Sequence, residues 1–321
     1  AVLSAAAVWH VPAARDALAG WVAGLPPRVE VGDLPDQAVV DAWAREHTLG
    51  LIERFPLRLE PDTLLVLATA LATRVSWQVP FDLAPAADLG AAGPWDGLTR
   101  VLRTPGGPQW HRQFVAVTER AGDVAVHTAR SHDGLAVTSV VAAPDVPPGE
   151  VLAAAYDVAG ALATDRRSVR RRSLFDLSDG PRWTITERAA ETTAPDGREE
   201  RCVAVLPAWS AESEHDLTGP GLGFAGAAAV LAGALGLGGH RYEAKQSAMA
   251  RYSREGFEAA AVTALAVATG FQQPRDGVVR EAVLRFNSPY AVVAVTTDPK
   301  GGPWHGLPVF SAWVATPTDA S

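Results

Sequence analysis

Cysteine is almost missing from this chain: Cys202 is the only one in 321 residues, so no internal disulfide can form and the fold owes nothing to oxidising conditions. Lysine is nearly as scarce, with 2 Lys against 26 Arg, and with the abundant Ala and Pro this bias points to a high-GC bacterial genome. No His-Glu-x-x-His and no Gly-x-Ser-x-Gly occurs, and the eight histidines are scattered without ligand spacing, so metal and hydrolase chemistry find no support. Ser131-His132-Asp133 is no triad, because neighbours on a strand or turn point apart whereas working groups converge from separate segments. It reads as a turn. Residues 1 to 9 lack a basic flank followed by a long apolar core, so no signal peptide is expected. Leu217 to Gly239 carries no charge over 23 residues, but its glycines and Pro220 argue against a membrane span.

What is present is the composition of a folded protein, 48% hydrophobic and 20% charged, enough for one large core of one lobe or two. A net charge of -8 argues against a general nucleic-acid binder. The run Arg166, Arg167, Arg170, Arg171 and Arg172 reads as a solvated surface, with docking of a polyanion as the alternative. Periodicity and breakers predict helices over 12–23, 36–50 and 224–235, and strands over 63–73 and 242–253. Val124 to Arg130 and Leu135 to Val141 flank His132-Asp133-Gly134 and read as a hairpin; Trp183 to Arg188 and Arg201 to Leu206, around Pro195-Asp196-Gly197, read as a second. Mixed helices and antiparallel strands without linker or repeat give an α+β fold over 1–321 as a single domain. Cys202, Ala204 and Leu206 share one face of a strand, which makes the thiol a core filler. Gly221-Leu222-Gly223-Phe224-Ala225-Gly226 has dinucleotide-binding spacing, yet the preceding strand ends near Leu206 and Pro220 interrupts the approach. Its glycines shape a loop.

The most informative stretch runs from Arg254-Glu255-Gly256-Phe257-Glu258 through Ala259-Ala260-Ala261-Val262-Thr263-Ala264-Leu265. Taken alone, an Ala-rich run is a helix, since Ala has the highest helix propensity. Its small residues also recur at every second place, Ala259, Ala261 and Thr263, followed by Leu265 and Val267, as needed for a strand that slips between a sheet and its core. Four other segments decide between these readings. Asp41-Ala42-Trp43-Ala44-Arg45-Glu46-His47-Thr48-Leu49-Gly50-Leu51-Ile52 resembles the serpin pattern Asn-x-Trp-Val-x-x-x-Thr-x-Gly-x-Ile, with Trp, Thr, Gly and Ile in register. Leu65 through Phe81 is similar to that family's buried central strand and its Trp-x-x-Pro-Phe exit, here Trp77 to Phe81, with Thr69 and Thr73 where serpins usually carry Asn and Phe. Val205-Leu206-Pro207-Ala208-Trp209 resembles its Leu-Pro-x-Phe strand, and Phe286 to Tyr290 with Val309 to Pro317 its closing strands.

The resemblance to serpins implies a large mixed sheet, surrounding helices and an exposed reactive loop, with 254–285 as hinge and loop. It implies a serine-protease inhibitor rather than an enzyme: metastable, acting once, trapping its target by loop cleavage, acylation and insertion. No cofactor or metal is implied, nor a nucleic-acid or membrane partner, and the protein is expected to be a monomer and, by that resemblance, extracellular. Glu255, Gly256, Phe257 and Glu258 would form the hinge, and Ala259, Ala260, Ala261, Val262 and Thr263 the inserting part. Counting onward places the cut near Gly270-Phe271, for a chymotrypsin-like target, or at Arg275, for a trypsin-like one. Thr69 and Trp77 fall in the core of the main sheet, and Ser4 to Trp9 at its edge, with the opening helices of the family lacking; the alternative sets Val2 to Trp9 on an early helix. The main departures are Arg254, where serpins carry Glu, and Phe257, where they carry Thr or Ser. Forcing a Phe between sheet and core is expected to cost about 1 to 3 kcal/mol by overpacking unless a cavity fits it. An insertion so slowed leaves a binding module whose loop is cut without trapping.

Overall fold

The structure is a computed structural model describing residues 2–73, 75–90, 95, 97–106, 111–164, 168–257, 275–298 and 300–321. In chain order the elements are β1 (Val2–His10), α1 (Arg15–Val22), β2 (Val29–Asp33), α2 (Gln37–His47), β3 (Leu65–Thr73), β4 (Val75–Ser76), β5 (Asp82–Pro85), β6 (Arg100–Arg103) and β7 (His111–Thr118). There follow β8 (Gly122–Arg130), β9 (Leu135–Val141), α3 (Pro148–Thr164), β10 (Trp183–Thr192), β11 (Arg198–Leu206), β12 (Trp209–Asp216), α4 (Phe224–Ala234) and β13 (Lys245–Tyr252). The last are β14 (Gly256–Phe257), β15 (Arg275–Arg285), β16 (Tyr290–Thr296) and β17 (Pro308–Val314). The chain is α+β, as its patterning predicts, and forms two compact units, residues 1–73 with 211–250 and residues 74–210 with 251–321. Their boundaries at 210/211 and 250/251 fall inside β12 and β13, so no linker composition marks them.

In the first unit α2 covers one face of the sheet β2-β1-β3. Asp36 caps the helix by accepting from the Val39 N–H at 3.0 Å, and the helix stops where Leu49 and Gly50 turn left-handed, φ 57° and 79°. Val40 and Trp43 pack on Ala7, Trp9, Val66, Ala68 and Ala70, with the Trp9 and Trp43 rings edge to face at 5.3 Å. Two expectations are corrected here. Residues 4–9 form neither an edge strand nor a helix, because β1 lies between β2, parallel to it, and β3, antiparallel to it. The β3 strand is buried on one face only: Leu67 and Leu71, on the face away from α2, are 47% and 48% exposed.

In the second unit β17-β16-β9-β8-β7 is an antiparallel sheet, and α3 packs Val151, Ala155 and Val158 against Val124, Val126 and Val293 on one face. The β8–β9 hairpin closes as predicted at Gly134, φ 79°, with Ser131 hydroxyl accepting from the Leu135 N–H. The other sheet runs β10-β15-β11-β6-β5. This corrects the second predicted hairpin, because β10 and β11 do not pair with each other: β15 lies between them, antiparallel to β10 and parallel to β11. The Pro195-Asp196-Gly197 turn passes over the start of β15, where a Cβ on Gly277 would overlap the Gly197 carbonyl and Thr192. Strand β15 also shows that residues 275–285 of the expected hinge-and-loop range are regular sheet.

Candidate functional site

The segment predicted as a hinge begins where β13 turns back on itself. Ser253 N–H and its hydroxyl both donate to the Gly256 carbonyl at 3.0 Å, closing a tight turn, so that Phe257 pairs antiparallel with Tyr252. On its other side β14 pairs antiparallel with β4, Gly256 opposite Ser76 and Phe257 opposite Val75. Two residues of the predicted hinge therefore already lie between two strands. A side chain at 256 is excluded, since a Cβ there would overlap the Val75 carbonyl oxygen.

The bend after β4 holds the same turn from the other side. Trp77 N–H donates to the Glu255 carbonyl and Phe81 N–H to the Arg254 carbonyl, each at 3.0 Å, and the Trp77 indole N–H donates to the Ser253 carbonyl at 3.0 Å. Arg254 Nε donates to the Phe81 carbonyl at 3.1 Å, and its guanidinium pairs with Glu255 at 3.1 Å. Arg254, a departure from the serpin pattern, is thus a strut between turn and bend, which a carboxylate could not be.

Phe257 is 3% exposed, set edge-on to Trp209 at 6.1 Å and to Phe310 at 5.6 Å. Trp209 in turn stacks on Tyr252 at 5.7 Å, and Tyr252 lies 5.0 Å from Trp77. The predicted misfit is accommodated by an aromatic cavity shaped for it, so no overpacking penalty applies at this position.

Beneath the bend lie two histidines that no motif marked. His111 on β7 and His127 on β8 are both buried, their rings stacked 5.3 Å apart, with Phe81 against both. His111 Nε2 is 2.8 Å from the Val79 carbonyl and its Nδ1 is 3.0 Å from His127 Nε2. A carbonyl only accepts, so His111 Nε2 carries the hydrogen. In the neutral pair His111 Nδ1 then accepts from His127 Nε2–H, which leaves His127 Nδ1 as a bare lone pair. Burial pushes the His111 pKa down to about 4, opposed by the Val79 bond and the Asp82 carboxylate, and pushes His127 well below the ordinary value, with His111 adding to it. Strand alternation puts His111 and Gln113, and His127 with Ala125 and Ala129, on the face opposite Phe114, Val124 and Val126, which pack with α3; both faces of β8 are buried from Val124 to Ala129, so alternation alone does not mark the pair.

The remaining predicted residues are dispersed. Glu258 to Thr263, Gly270 and Phe271 lie outside the described residues. Arg275 is the first residue of β15, opposite Thr192, its guanidinium donating to the Pro195 carbonyl at 2.9 Å. Thr69 sits in mid-β3 opposite Ala6 with its side chain exposed, and Trp77 is buried in the core of the second unit. Cys202 is half-buried, and burial together with Glu200 pushes its thiol up to about 12, which leaves it unreactive at neutral pH. Of the basic run, Arg172 is paired with Asp123 at 3.1 Å and Arg171 lies over the Phe114 ring at 3.9 Å. No group of three or more potential metal ligands occurs among the described residues.

The chain has a serpin-like fold, mixed α+β with several sheets and few helices. Solved structures it resembles include human thyroxine-binding globulin, at 12% identity over 99% of this chain and 76% of that one, TM-score 0.56. A serpin of the trematode Schistosoma haematobium matches at 13% identity over 99% and 74%, TM-score 0.56, and the thermophilic serpin tengpin in its native state at 11% over 98% and 73%, TM-score 0.54. No family model matches the sequence, and no curated protein matches it.

Proposed function

We propose that this protein is a serpin-like inhibitor of serine proteases, acting by reactive-loop cleavage, covalent trapping and loop insertion. The observation that carries this reading is the seating of Gly256 and Phe257 between β13 and β4. A strand continued from Phe257 in that register stays antiparallel to β13 and places Ala259, Ala261 and Thr263 on the Phe257 face, where small side chains keep insertion cheap. The chemistry belongs to the protease: its serine attacks the scissile carbonyl, the leaving amine departs with the downstream chain, and the acyl-enzyme ester stays on the upstream half. Insertion then carries the enzyme off before water completes hydrolysis, driven by strain released when the sheet gains a fully paired strand. Gly270-Phe271 is the proposed cut for a chymotrypsin-like target. Arg275, for a trypsin-like target, is the weaker candidate, because its backbone is committed to β15.

A second reading rests on the depth at which Phe257 is held. A side chain anchored by Trp209 and Phe310 ties the hinge down as well as starting the strand. The loop would then be cut without trapping, on a fold used for binding, as in thyroxine-binding globulin, solved with thyroxine. Incubation with a chymotrypsin-like and a trypsin-like protease separates the two on denaturing gels with mass spectrometry of the released fragment. A stable band at the summed mass supports the inhibitor. Clean cleavage without that band removes it and leaves the binding module.

A further inference from the structure

The five-stranded sheet of the second unit carries a row of polar side chains that its fold alone does not require. Gln113, His127 and Ser139 stand directly opposite one another on β7, β8 and β9, so they share the inward face. Each is buried or half-buried, and each keeps one polar atom without a hydrogen-bond partner: Gln113 Oε1, His127 Nδ1 and Ser139 Oγ. Two of these atoms, the amide oxygen and the bare imidazole nitrogen, can only accept in the neutral state. The row is therefore short of one hydrogen.

That deficit sits at the end of a chain of contacts leading to the hinge. From His127 the chain passes to His111, from His111 to the Val79 carbonyl, and from the Trp77–Phe81 bend to the Ser253, Arg254 and Glu255 carbonyls. One added proton has a place to go. If His127 Nδ1, the free lone pair, takes it, the Nε2 proton passes along the existing bond to His111 Nδ1, so that His127 Nε2 now accepts from His111 and His127 Nδ1–H donates toward Gln113 Oε1 or Ser139 Oγ. The hydrogen-bond count then closes, but a cation stands in a core lined by Phe81 and Trp77.

We propose that His111 and His127 are positioning residues for the hinge and make its seating acid-sensitive: the neutral pair fixes the 77–81 bend, and protonation favours the opened bend, which frees Ser253–Phe257. The role of that segment as a hinge rests on the function proposed above; the coupling of bend to turn does not. Among the described residues, strand β11 reaches the row through the Cys202 carbonyl, which accepts from Gln113 Nε2 at 2.7 Å, and the Cys202 thiol is held neutral by burial. Asp82, at the end of the bend, favours the charged form of His111; Tyr252, in contact with Phe81, is held neutral by burial; Arg254 and Glu255 are paired with each other. Strands β7 and β9 contribute Gln113 and Ser139, while Arg112 and Arg130 alternate to the opposite face.

Hydrogen exchange on the intact protein tests this without any protease. The Trp77 and Phe81 amides report the bend, and the Val126 and Val140 amides report the sheet beneath it. After correction for intrinsic exchange, opening at Trp77 and Phe81 is expected to rise about 30-fold from pH 7.5 to pH 5, the ratio set by a histidine that gains its ordinary pKa on opening. Both amides are expected to open more readily than Val126 and Val140. In His111→Gln, whose amide can still donate to Val79 and accept from His127, that rise is expected to vanish. Opening of the bend only together with the whole sheet, or an unchanged pH response in His111→Gln, overturns the proposal. Imidazole nitrogen shifts of the wild-type protein at pH 7.5 provide a check independent of any variant: a hydrogen on Nε2 of both rings is expected, and one on His127 Nδ1 overturns it. Failure to trap a protease would remove the inhibitor reading and leave these exchange results untouched.

Discussion

At Gly256 and Phe257 two neighbouring residues meet opposite demands, one allowing no side chain and the other filling a large cavity. Gly256→Ala places a methyl into the Val75 carbonyl, so the turn must leave β4 or β4 must shift. The expected result is loss of protection at the Ser76 and Trp77 amides, with a cost of about 1 to 3 kcal/mol in denaturant unfolding. Phe257→Ala empties the space beside Trp209 and Phe310 and is expected to cost about 3 kcal/mol if the hinge stays seated. A smaller loss, with new proteolytic cutting at 254–257, would mean that the hinge detaches instead. The histidine pair adds a pH dependence whose sign follows from its depressed pKa values. Its contribution to stability is complete above the unfolded value of 6.5 and falls as the pH drops from 6.5 to about 4, because the unfolded chain binds the protons first. For His111 alone the loss approaches about 3 kcal/mol, and His127 acts in the same direction. Denaturant unfolding at pH 7.5 and 4.5 measures it, and His111→Gln, which keeps the buried His127, is expected to lose less stability over that range than the wild type. In the sequence Gly256 stands out only through the resemblance of 254–265 to a serpin hinge, since the run taken alone reads as a helix. The cavity for Phe257 was not, because its walls come from Trp209 and Phe310, far along the chain.

Among the elements, those predicted correctly carry their own instructions. Asp36 and Gly50 bracket α2, and Asp133-Gly134 closes β8 onto β9, so both follow from local chemistry. The pairing of β10 with β11 failed because the turn between them is real while their partner, β15, lies some seventy residues further on. Only Gly277 hints at it, as a glycine just before Val278 and Val279 where another backbone crosses close by. Gly277→Val is therefore expected to push the Pro195–Gly197 turn off the start of β15 and to lower the thermal midpoint by several degrees. Loss of the Val278 amide bond to the Gly197 carbonyl, read by hydrogen exchange, localises the damage. The half-exposed β3 departs from expectation for a similar reason: alternation along a strand marks two faces but does not say which of them another element covers.

For the molecule as a whole, cleavage beyond the hinge gives the sharpest separation between a loop that inserts and one that is only cut. An inserting chain adds a paired strand, and five residues at about 1 kcal/mol of net hydrogen bonding each amount to roughly 5 kcal/mol, before the burial of Ala259, Ala261 and Thr263 is counted. At about 2 °C per kcal/mol for a chain of this size, the thermal midpoint of the cut protein is expected to rise by about 10 °C or more. A cut loop that stays outside the sheet gains none of this and loses only a chain connection, so its midpoint stays level or falls slightly. Phe257 sharpens the comparison, because insertion needs the hinge to continue inward from a side chain already anchored. If anchoring helps by fixing the register of the first pair, Phe257→Ala lowers the midpoint of the cut form more than that of the intact form. If anchoring hinders by tying the hinge down, Phe257→Ser increases the yield of covalent complex. Calorimetry of intact and cut protein together with the gel yield of covalent complex, for the wild type and both variants, distinguishes the two, and an unchanged midpoint after cleavage in all three excludes insertion.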